Sequence, residues 1–212
     1  MNILEESWSS FSADIASRYL KTFGAPSLES KALLVDVLRD LSGGRSLKLI
    51  ELGCGNGQLA EYFRAQALDF SYLGVDFSEP LLNAGRQMFA GDPAISFIHD
   101  DVQSLGLING RFDIAIYSHV IEMLSSPEAS LQSSRRLADK IVIRFFEPPE
   151  ADLTTVELRD LNTGKPESGF VPYLRWTMGR DFYRLILAKL GAKRVDIYRT
   201  QTKDQVHVLH FD

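Results

Sequence analysis

Apolar residues along this chain follow two alternating patterns. One is a short run that is apolar at almost every position and bounded by Gly, Pro, Asp or Ser, which is typical of parallel strands buried on both faces. The other has apolar residues three or four positions apart and predicts amphipathic helices. Because the two patterns alternate, the sequence predicts an α/β fold built around a parallel sheet.

The predicted elements cover most of the chain. The strand runs are 47–52, 70–78, 95–99, 112–124 and 140–146. The helical segments lie at 27–41, from 58 onward, from 79 onward, at 127–138 and at 177–190, the last capped by Thr177. Alternation at 193–200 and 205–211 predicts a C-terminal hairpin. The segment 147–176, which contains several prolines, is predicted to be irregular and to cover a substrate.

A glycine-rich turn joins the first strand to the next helix. Its three glycines stand at alternate positions from Gly53 to Gly57. Such a turn allows positive φ and lets a ligand approach main-chain N–H groups at the positive end of a helix. The dinucleotide fingerprint requires a glycine where this chain has Gln58. Glu51 just before the turn suits the ammonium group of an amino-acid tail, which favours S-adenosylmethionine over a nicotinamide cofactor.

Two motifs resemble those of class I S-adenosylmethionine-dependent methyltransferases that act on small molecules. Residues 51–57 read E-L-G-C-G-N-G, similar to the first family motif E/D-x-G-x-G-x-G. Residues 112–124 are similar to the pattern F-D-x-x-x-x-S-H-V-L-E-H-L, with Met123 where a second histidine is common. The resemblance covers about residues 28–212. It implies a Rossmann-like, doubly wound, seven-stranded sheet, mostly parallel with an antiparallel C-terminal strand.

The resemblance implies a set of cofactor contacts at the ends of the strands. On the glycine turn these are Glu51, Gly53, Cys54, Gly55 and Gly57. At the end of the fourth strand, Tyr117 and Ser118 are expected to flank the methionine part of S-adenosylmethionine.

The remaining expected cofactor contacts follow the second and third strands. Asp76 lies about 20 residues beyond the turn, where an acid can accept both ribose hydroxyls, although it could instead cap the next helix. Phe77 would lie against the adenine. The resemblance implies that Asp101 accepts a hydrogen bond from the adenine amino group and that the Val102 N–H meets the ring. Asp100 is the alternative if the register differs by one, and a pair of surface acids is the simpler interpretation.

Candidate substrate contacts come from several segments. They are Tyr19, His119, Arg144, Tyr173, Arg175 and Trp176. His119 is also the candidate catalytic base, with a core histidine bonded to backbone carbonyls as the alternative. Arg144 lies in an apolar strand, where a charge is costly unless it is paired or faces a cleft. With Arg175 and Arg180 it suggests an anionic acceptor; pairing with Glu147 or its acidic neighbours is the alternative.

The expected organisation is one domain with an extension. Residues 1–26 are predicted to be helical, either packed on the flank of the domain or acting as a lid that contributes Tyr19. Residues 27–212 are predicted to form the methyltransferase domain. The 212-residue chain has a formal net charge of −5, which disfavours nucleic acid as a partner. One cysteine and scattered histidines predict neither a disulfide nor a metal site.

The sequence also suggests a cellular location, a partner and alternative functions. Acidic residues near the N-terminus and the lack of a long apolar run predict a cytoplasmic protein without a membrane span. Its expected partner is a small-molecule substrate, and a homodimer is left open. A cofactor-binding but inactive partner subunit is the alternative function, followed by a nicotinamide-dependent oxidoreductase.

Overall fold

The computed structural model describes residues 29–148, 154–160 and 172–212. The proposed lid at 1–26, including Tyr19, and parts of the 147–176 segment lie outside the described residues, as does the side chain of Tyr173. The helices are α1 (Glu29–Ser42), α2 (Gln58–Ala65), α3 (Glu79–Met88), α4 (Pro127–Leu137) and α5 (Arg180–Leu190). The strands are β1 (Leu47–Leu52), β2 (Phe70–Asp76), β3 (Ile95–His99), β4 (Phe112–Ser118), β5 (Ala138–Phe146), β6 (Thr155–Asp160), β7 (Pro172–Thr177), β8 (Arg194–Arg199) and β9 (Asp204–His210).

Seven of these strands form one sheet in the order β3-β2-β1-β4-β5-β9-β8. Strands β1 to β5 pair in parallel, whereas β9 runs antiparallel to both of its neighbours. The predicted mostly parallel sheet with an antiparallel C-terminal strand is therefore confirmed. The strand order reverses between β1 and β4, and ligands of open α/β sheets bind at the carboxyl ends of strands near such a reversal.

The sheet is buried on both faces. One core contains apolar residues of α1, α2 and α3 together with Leu49, Ile114 and Val142 of the sheet. The other contains residues of α4 and α5 together with Ile50 and Ala115. Adjacent positions of one strand thus enter different cores. This double burial explains the nearly continuous apolar runs of the central strands.

The connection between α4 and β5 has no intervening loop. Helix α4 ends at Leu137 and β5 begins at Ala138. The sequence lacks the glycine-rich approach to this strand that the family resemblance leads one to expect, and the structure accommodates that loss by a direct passage from helix to strand.

Three element predictions are wrong. The segment 147–176 was expected to be irregular, but β6 and β7 pair antiparallel in a separate two-stranded sheet. Pro172 is tolerated because it is the first residue of its strand. Thr177 ends β7 rather than capping α5, whose N-cap is Gly179. Strand β4 ends at Ser118, because the next residue, His119, takes a φ of 55°.

Candidate active site

The glycine turn between β1 and α2 requires glycine for two reasons. Gly53, Gly55 and Gly57 have φ values of 71°, 57° and 80°, in the left-handed region. A Cβ atom on Gly53 would lie 2.6 Å from the Val120 side chain, and one on Gly57 would lie 2.8 Å from the Phe97 ring. The turn is therefore both conformationally demanding and closely packed.

Asp76 fixes the shape of this turn. Its carboxylate accepts hydrogen bonds from the backbone N–H of Gly55 and from that of Ser78, both at 2.8 Å. Burial raises the pKa of Asp76, and these backbone bonds act in the opposite direction. The carboxylate also serves the start of α3, where the Ser78 side chain makes no capping bond. Two carboxylate oxygens can accept further bonds, so these contacts leave capacity for ribose hydroxyls.

Helix α3 packs against the glycine turn through Gly85. A Cβ atom at Gly85 would lie 2.9 Å from the backbone oxygen of Asn56 and 2.9 Å from the Phe97 ring. Alanine is the better helix former by about 1 kcal/mol, yet this contact forces helix and turn apart. We expect Gly85→Ala to lower the melting temperature and weaken cofactor binding, measured by calorimetry.

Gly106→Ala provides the matched control for that substitution. A Cβ at Gly106 would meet nothing within 4 Å. Its melting temperature should stay near that of the wild type. A Gly85→Ala protein at least as stable as the wild type would contradict the packing argument.

Glu51 is a buried acid at the carboxyl end of β1, with 3% of its surface exposed. Burial raises the pKa of Glu51 to about 8, despite the opposing effects of the Tyr72 hydrogen bond and the Arg144 charge. The Tyr72 hydroxyl donates to Glu51 Oε2 over 2.5 Å. Because a nearby cation favours the charged form of an acid, an ammonium group bound at the turn would stabilise the Glu51 carboxylate.

The residues predicted to hold adenine lie where β2 and β3 end. Asp100 accepts hydrogen bonds from the N–H groups of Asp101 and Leu107, so both of its oxygens serve its own loop. Asp101 is exposed and accepts the N–H of Gln103. Phe77 is partly exposed, whereas the Val102 side chain is buried. Asp101 is thus the more open of the two neighbouring acids.

The Tyr117 side chain lies in the core beneath α4. It is fully buried, and its hydroxyl contacts the hydroxyls of Ser130 and Ser134 at 2.8 and 2.6 Å. Burial raises the pKa of Tyr117 to about 12. The contact of Tyr117 with the methionine part of a cofactor stays a prediction, and this burial leaves its main-chain atoms to make it. Cys54 is likewise buried within the turn.

His119 follows β4 directly and is held at three points. Its N–H donates to the carbonyl of Arg144 at 2.8 Å. Nδ1 lies 3.3 Å from Glu122, and Nε2 lies 3.6 Å from Asp204. The partners of the ring are carboxylates rather than the backbone carbonyls of the core-histidine alternative. Burial alone lowers the pKa of His119, but the contacts with Asp204 and Glu122 outweigh burial and raise it.

Arg144 is buried beside Ser118 of the neighbouring strand β4. It is 3% exposed and donates from Nη1 to Ser118 Oγ at 3.0 Å. Its charge lowers the pKa of Glu51 and that of Asp204, so it acts as a countercharge to interior acids. Along β5, Val142 enters the core beside α1 and Phe145 enters the opposite core, so Arg144 shares its face with Val142. The direct contact of Arg144 with a substrate stays a prediction.

A cavity of about 670 Å³ lies beside His119, where β5 ends against the β6–β7 sheet. It is lined by Glu122, Phe145, Phe146, Glu147, Pro148, Glu157, Arg175, Trp176, Thr177, Met178, Arg180 and Lys203. Phe146 lies between His119 and the cavity: it lines the cavity, and its ring centre lies 4.6 Å from that of His119. Arg175 stacks over Phe146 at 4.9 Å and lies 3.7 Å from Glu157. The cavity therefore combines aromatic walls with charges of both signs.

Sequence reasoning missed Asp204 and Glu122 as partners of His119. Asp204 begins β9, far from His119 in the sequence, and no motif around Asp204 indicates a contact with His119. Glu122 stands three residues after His119, a spacing that could have indicated the contact. In the described ranges, no cluster of three or more potential metal ligands is present. No helix described here is long and apolar enough to cross a membrane.

A sequence model of a family described as a methyltransferase domain matches residues 50–140, from β1 into β5. This chain is similar to that family over those residues. It is 30% identical over 110 residues to a demethylmenaquinone methyltransferase of Chlamydia pneumoniae, covering 50% of this chain and 47% of that protein. A ubiquinone/menaquinone biosynthesis C-methyltransferase of Campylobacter jejuni is 28% identical over 141 residues, covering 62% and 58%. The chain thus spans about half the length of these relatives.

Solved structures of methyltransferases share the fold of this chain. Magnesium protoporphyrin IX methyltransferase from Synechocystis, with bound S-adenosylhomocysteine, has a TM-score of 0.65 at 17% identity and 98% coverage of both chains. The glycopeptide N-methyltransferase MtfA, complexed with S-adenosylmethionine, has a TM-score of 0.63 at 14% identity, covering 84% of this chain and 93% of that one.

Proposed function

We propose that this protein transfers a methyl group from S-adenosylmethionine to a nucleophilic atom of a small molecule. The observation that carries the proposal is the glycine turn, held by Asp76 at the point of strand reversal and preceded by the buried Glu51. Solved structures of the same fold that contain S-adenosylmethionine or S-adenosylhomocysteine support it.

The residues of the turn fit this cofactor. Glu51 suits the ammonium of the amino-acid tail, because the acid is buried and becomes ionised more readily beside a cation. Asp76 is placed to accept ribose hydroxyls in addition to its backbone bonds. Exposed Asp101, with the main chain of Val102, would hold the adenine. These contacts would leave the sulfonium end toward Ser118 and His119.

Methyl transfer from S-adenosylmethionine mainly requires the protein to orient the donor and the acceptor. The sulfonium of S-adenosylmethionine makes its methyl group electrophilic. The protein must align donor and acceptor at near-attack distance and exclude water, and it needs a base when the acceptor loses a proton. His119, beside the cavity, is the candidate for that base.

We place the acceptor in the cavity beside His119 and infer that it is an O or N nucleophile of a small metabolite with an anionic group. Arg175, Arg180 and Lys203 line this cavity and can hold a carboxylate or phosphate. The carboxylates of Glu122, Glu147 and Glu157 line the same cavity, so an acceptor that carries a positive as well as a negative group also fits. The sequence-based hypothesis grouped Arg144 with Arg175 and Arg180; we keep Arg175 and Arg180 and add Lys203.

Arg175→Met tests the anionic acceptor. We expect a higher KM for an acidic acceptor with S-adenosylmethionine affinity unchanged, because Arg175 belongs to the cavity rather than to the glycine turn. Arg184→Met is the control, since Arg184 is an exposed residue of α5 paired with Asp181. Equal KM values for Arg175→Met and wild type would contradict the assignment.

A second candidate is methylation of a ring carbon. The Campylobacter relative is named a C-methyltransferase, and the cavity presents Phe145, Phe146 and Trp176 to a planar acceptor. Products of turnover distinguish the two candidates, because a methyl group on carbon and one on oxygen or nitrogen have different chemical shifts.

Calorimetry and a turnover assay test the function itself. We expect S-adenosylmethionine and S-adenosylhomocysteine to bind and a nicotinamide dinucleotide not to bind. A panel of acidic and aromatic metabolites should include one that releases S-adenosylhomocysteine. Binding without turnover across the panel would favour an inactive partner subunit, and binding of the dinucleotide alone would overturn the proposal.

A further inference from the structure

The imidazole of His119 lies between carboxylates from two separate elements. Glu122 belongs to the short 3-10 turn Ile121–Met123, and its Oε2 lies 3.3 Å from Nδ1. Asp204 is the first residue of β9, and its Oδ2 lies 3.6 Å from Nε2. The first distance suits a hydrogen bond, whereas the second is too long for one but short enough for an ion pair.

Both carboxylates are fixed by further bonds. Glu122 accepts the backbone N–H of Phe146 at 3.3 Å through its other oxygen, Oε1. Asp204 accepts the hydroxyl of Ser30 on α1 at 2.6 Å. Glu122 is 4% exposed and Asp204 is 8% exposed. The two acids therefore hold set positions around the ring.

These positions match the needs of a proton acceptor. A neutral imidazole has one N–H, and a carboxylate at Nδ1 keeps that hydrogen there, leaving the lone pair on Nε2. A carboxylate near Nε2 stabilises the imidazolium that forms when Nε2 takes a proton. The charged groups that act on the ring in the described structure are Glu122, Asp204 and Arg144 of β5. The two carboxylates favour the imidazolium, and the single guanidinium disfavours it.

We propose that Glu122 and Asp204 are positioning residues that orient His119 and make it the proton acceptor for the molecule bound in the adjacent cavity. This inference rests on the proposed methyl transfer and adds to it the groups that tune the base. The raised pKa of His119 agrees with the geometry.

The proton and electrons balance in this step. A lone pair of the acceptor oxygen or nitrogen forms the new bond to the methyl carbon. The carbon–sulfur bond breaks and its electron pair returns to sulfur, giving neutral S-adenosylhomocysteine. The acceptor's O–H or N–H proton moves to Nε2 of His119, and the imidazolium later releases it to water.

Proton NMR titration of the four histidines tests the inference without any acceptor. His119→Gln assigns the His119 signal. We expect its titration midpoint in the folded wild type to lie above that of histidine in the urea-unfolded chain. Glu122→Gln and Asp204→Asn keep the shape of each side chain but remove its charge, so each should move the His119 midpoint to lower pH.

Asp196→Asn is the matched control. Asp196 contacts a different histidine, His210, at 2.9 Å, so its substitution should leave the His119 midpoint unchanged. A wild-type midpoint at or below the unfolded value would overturn the inference, as would two carboxylate variants that both leave it unmoved. Calorimetry of the wild type with S-adenosylhomocysteine tests the proposed function separately, and a lack of binding there would not alter the titration result.

Discussion

Glu51→Gln should make the unliganded protein more stable at pH 8 than the wild type. Burial raises the pKa of Glu51 from 4.5 to about 8. Below pH 4.5 both the folded and the unfolded chain hold the Glu51 proton, so the Glu51 side chain causes no loss of stability. As the pH rises from 4.5 to 8, the unfolded chain releases the proton and the folded chain keeps it, so stability falls by roughly 3–5 kcal/mol. Glutamine has no proton to release and still accepts the Tyr72 hydroxyl.

The same substitution should weaken S-adenosylmethionine binding about tenfold to a hundredfold. It removes a charge-assisted hydrogen bond to the ammonium group, and such bonds contribute about 1.5–3 kcal/mol. A gain in stability together with a loss of affinity is expected where a buried charge is kept for a ligand.

Urea unfolding at pH 5 and pH 8, with calorimetry at pH 8, measures both effects. Glu61→Gln is the control, because Glu61 is an exposed acid on α2. It should change neither the pH dependence nor the affinity. The prediction is wrong if Glu51→Gln is less stable than the wild type at pH 8.

Asp76→Ala should reduce S-adenosylmethionine affinity by a few kcal/mol and leave the chain folded. Two effects combine. The variant loses a charged acceptor for the ribose, worth about 1.5–3 kcal/mol. It also leaves the N–H groups of Gly55 and Ser78 without the carboxylate that holds the turn in its binding shape. The cost to folding is limited to about 1–3 kcal/mol per buried donor, within the usual stability of a domain.

Ser78→Ala separates the role of the carboxylate from that of the α3 cap. The Ser78 side chain makes no capping bond, and its backbone N–H remains available to Asp76 after the substitution. Calorimetry should therefore find near wild-type affinity for Ser78→Ala. A folded Asp76→Ala protein with unchanged affinity would refute the ribose assignment.

The burial of the Tyr117 ring shows where sequence reasoning stops. Strand β4 is apolar on both faces, so its sequence carries no signal for which residues enter which core. In the structure Ile116 faces α1 to α3, and Tyr117 faces α4. The same parity decides that Arg144 lies away from the face that Phe145 occupies. A one-residue change of parity would have exchanged them.

The sequence by itself determined the order and type of the elements of the main sheet and the place of the glycine turn. These features depend on local causes: burial on both strand faces produces apolar runs, and positive φ at Gly53 to Gly57 demands glycine. The tertiary structure alone decided the β6–β7 pairing and the contacts of His119 with Asp204 and of Asp204 with Ser30, which is 174 residues away. Such contacts arise from the register of strands and helices that meet only in the folded chain, and no local pattern encodes them.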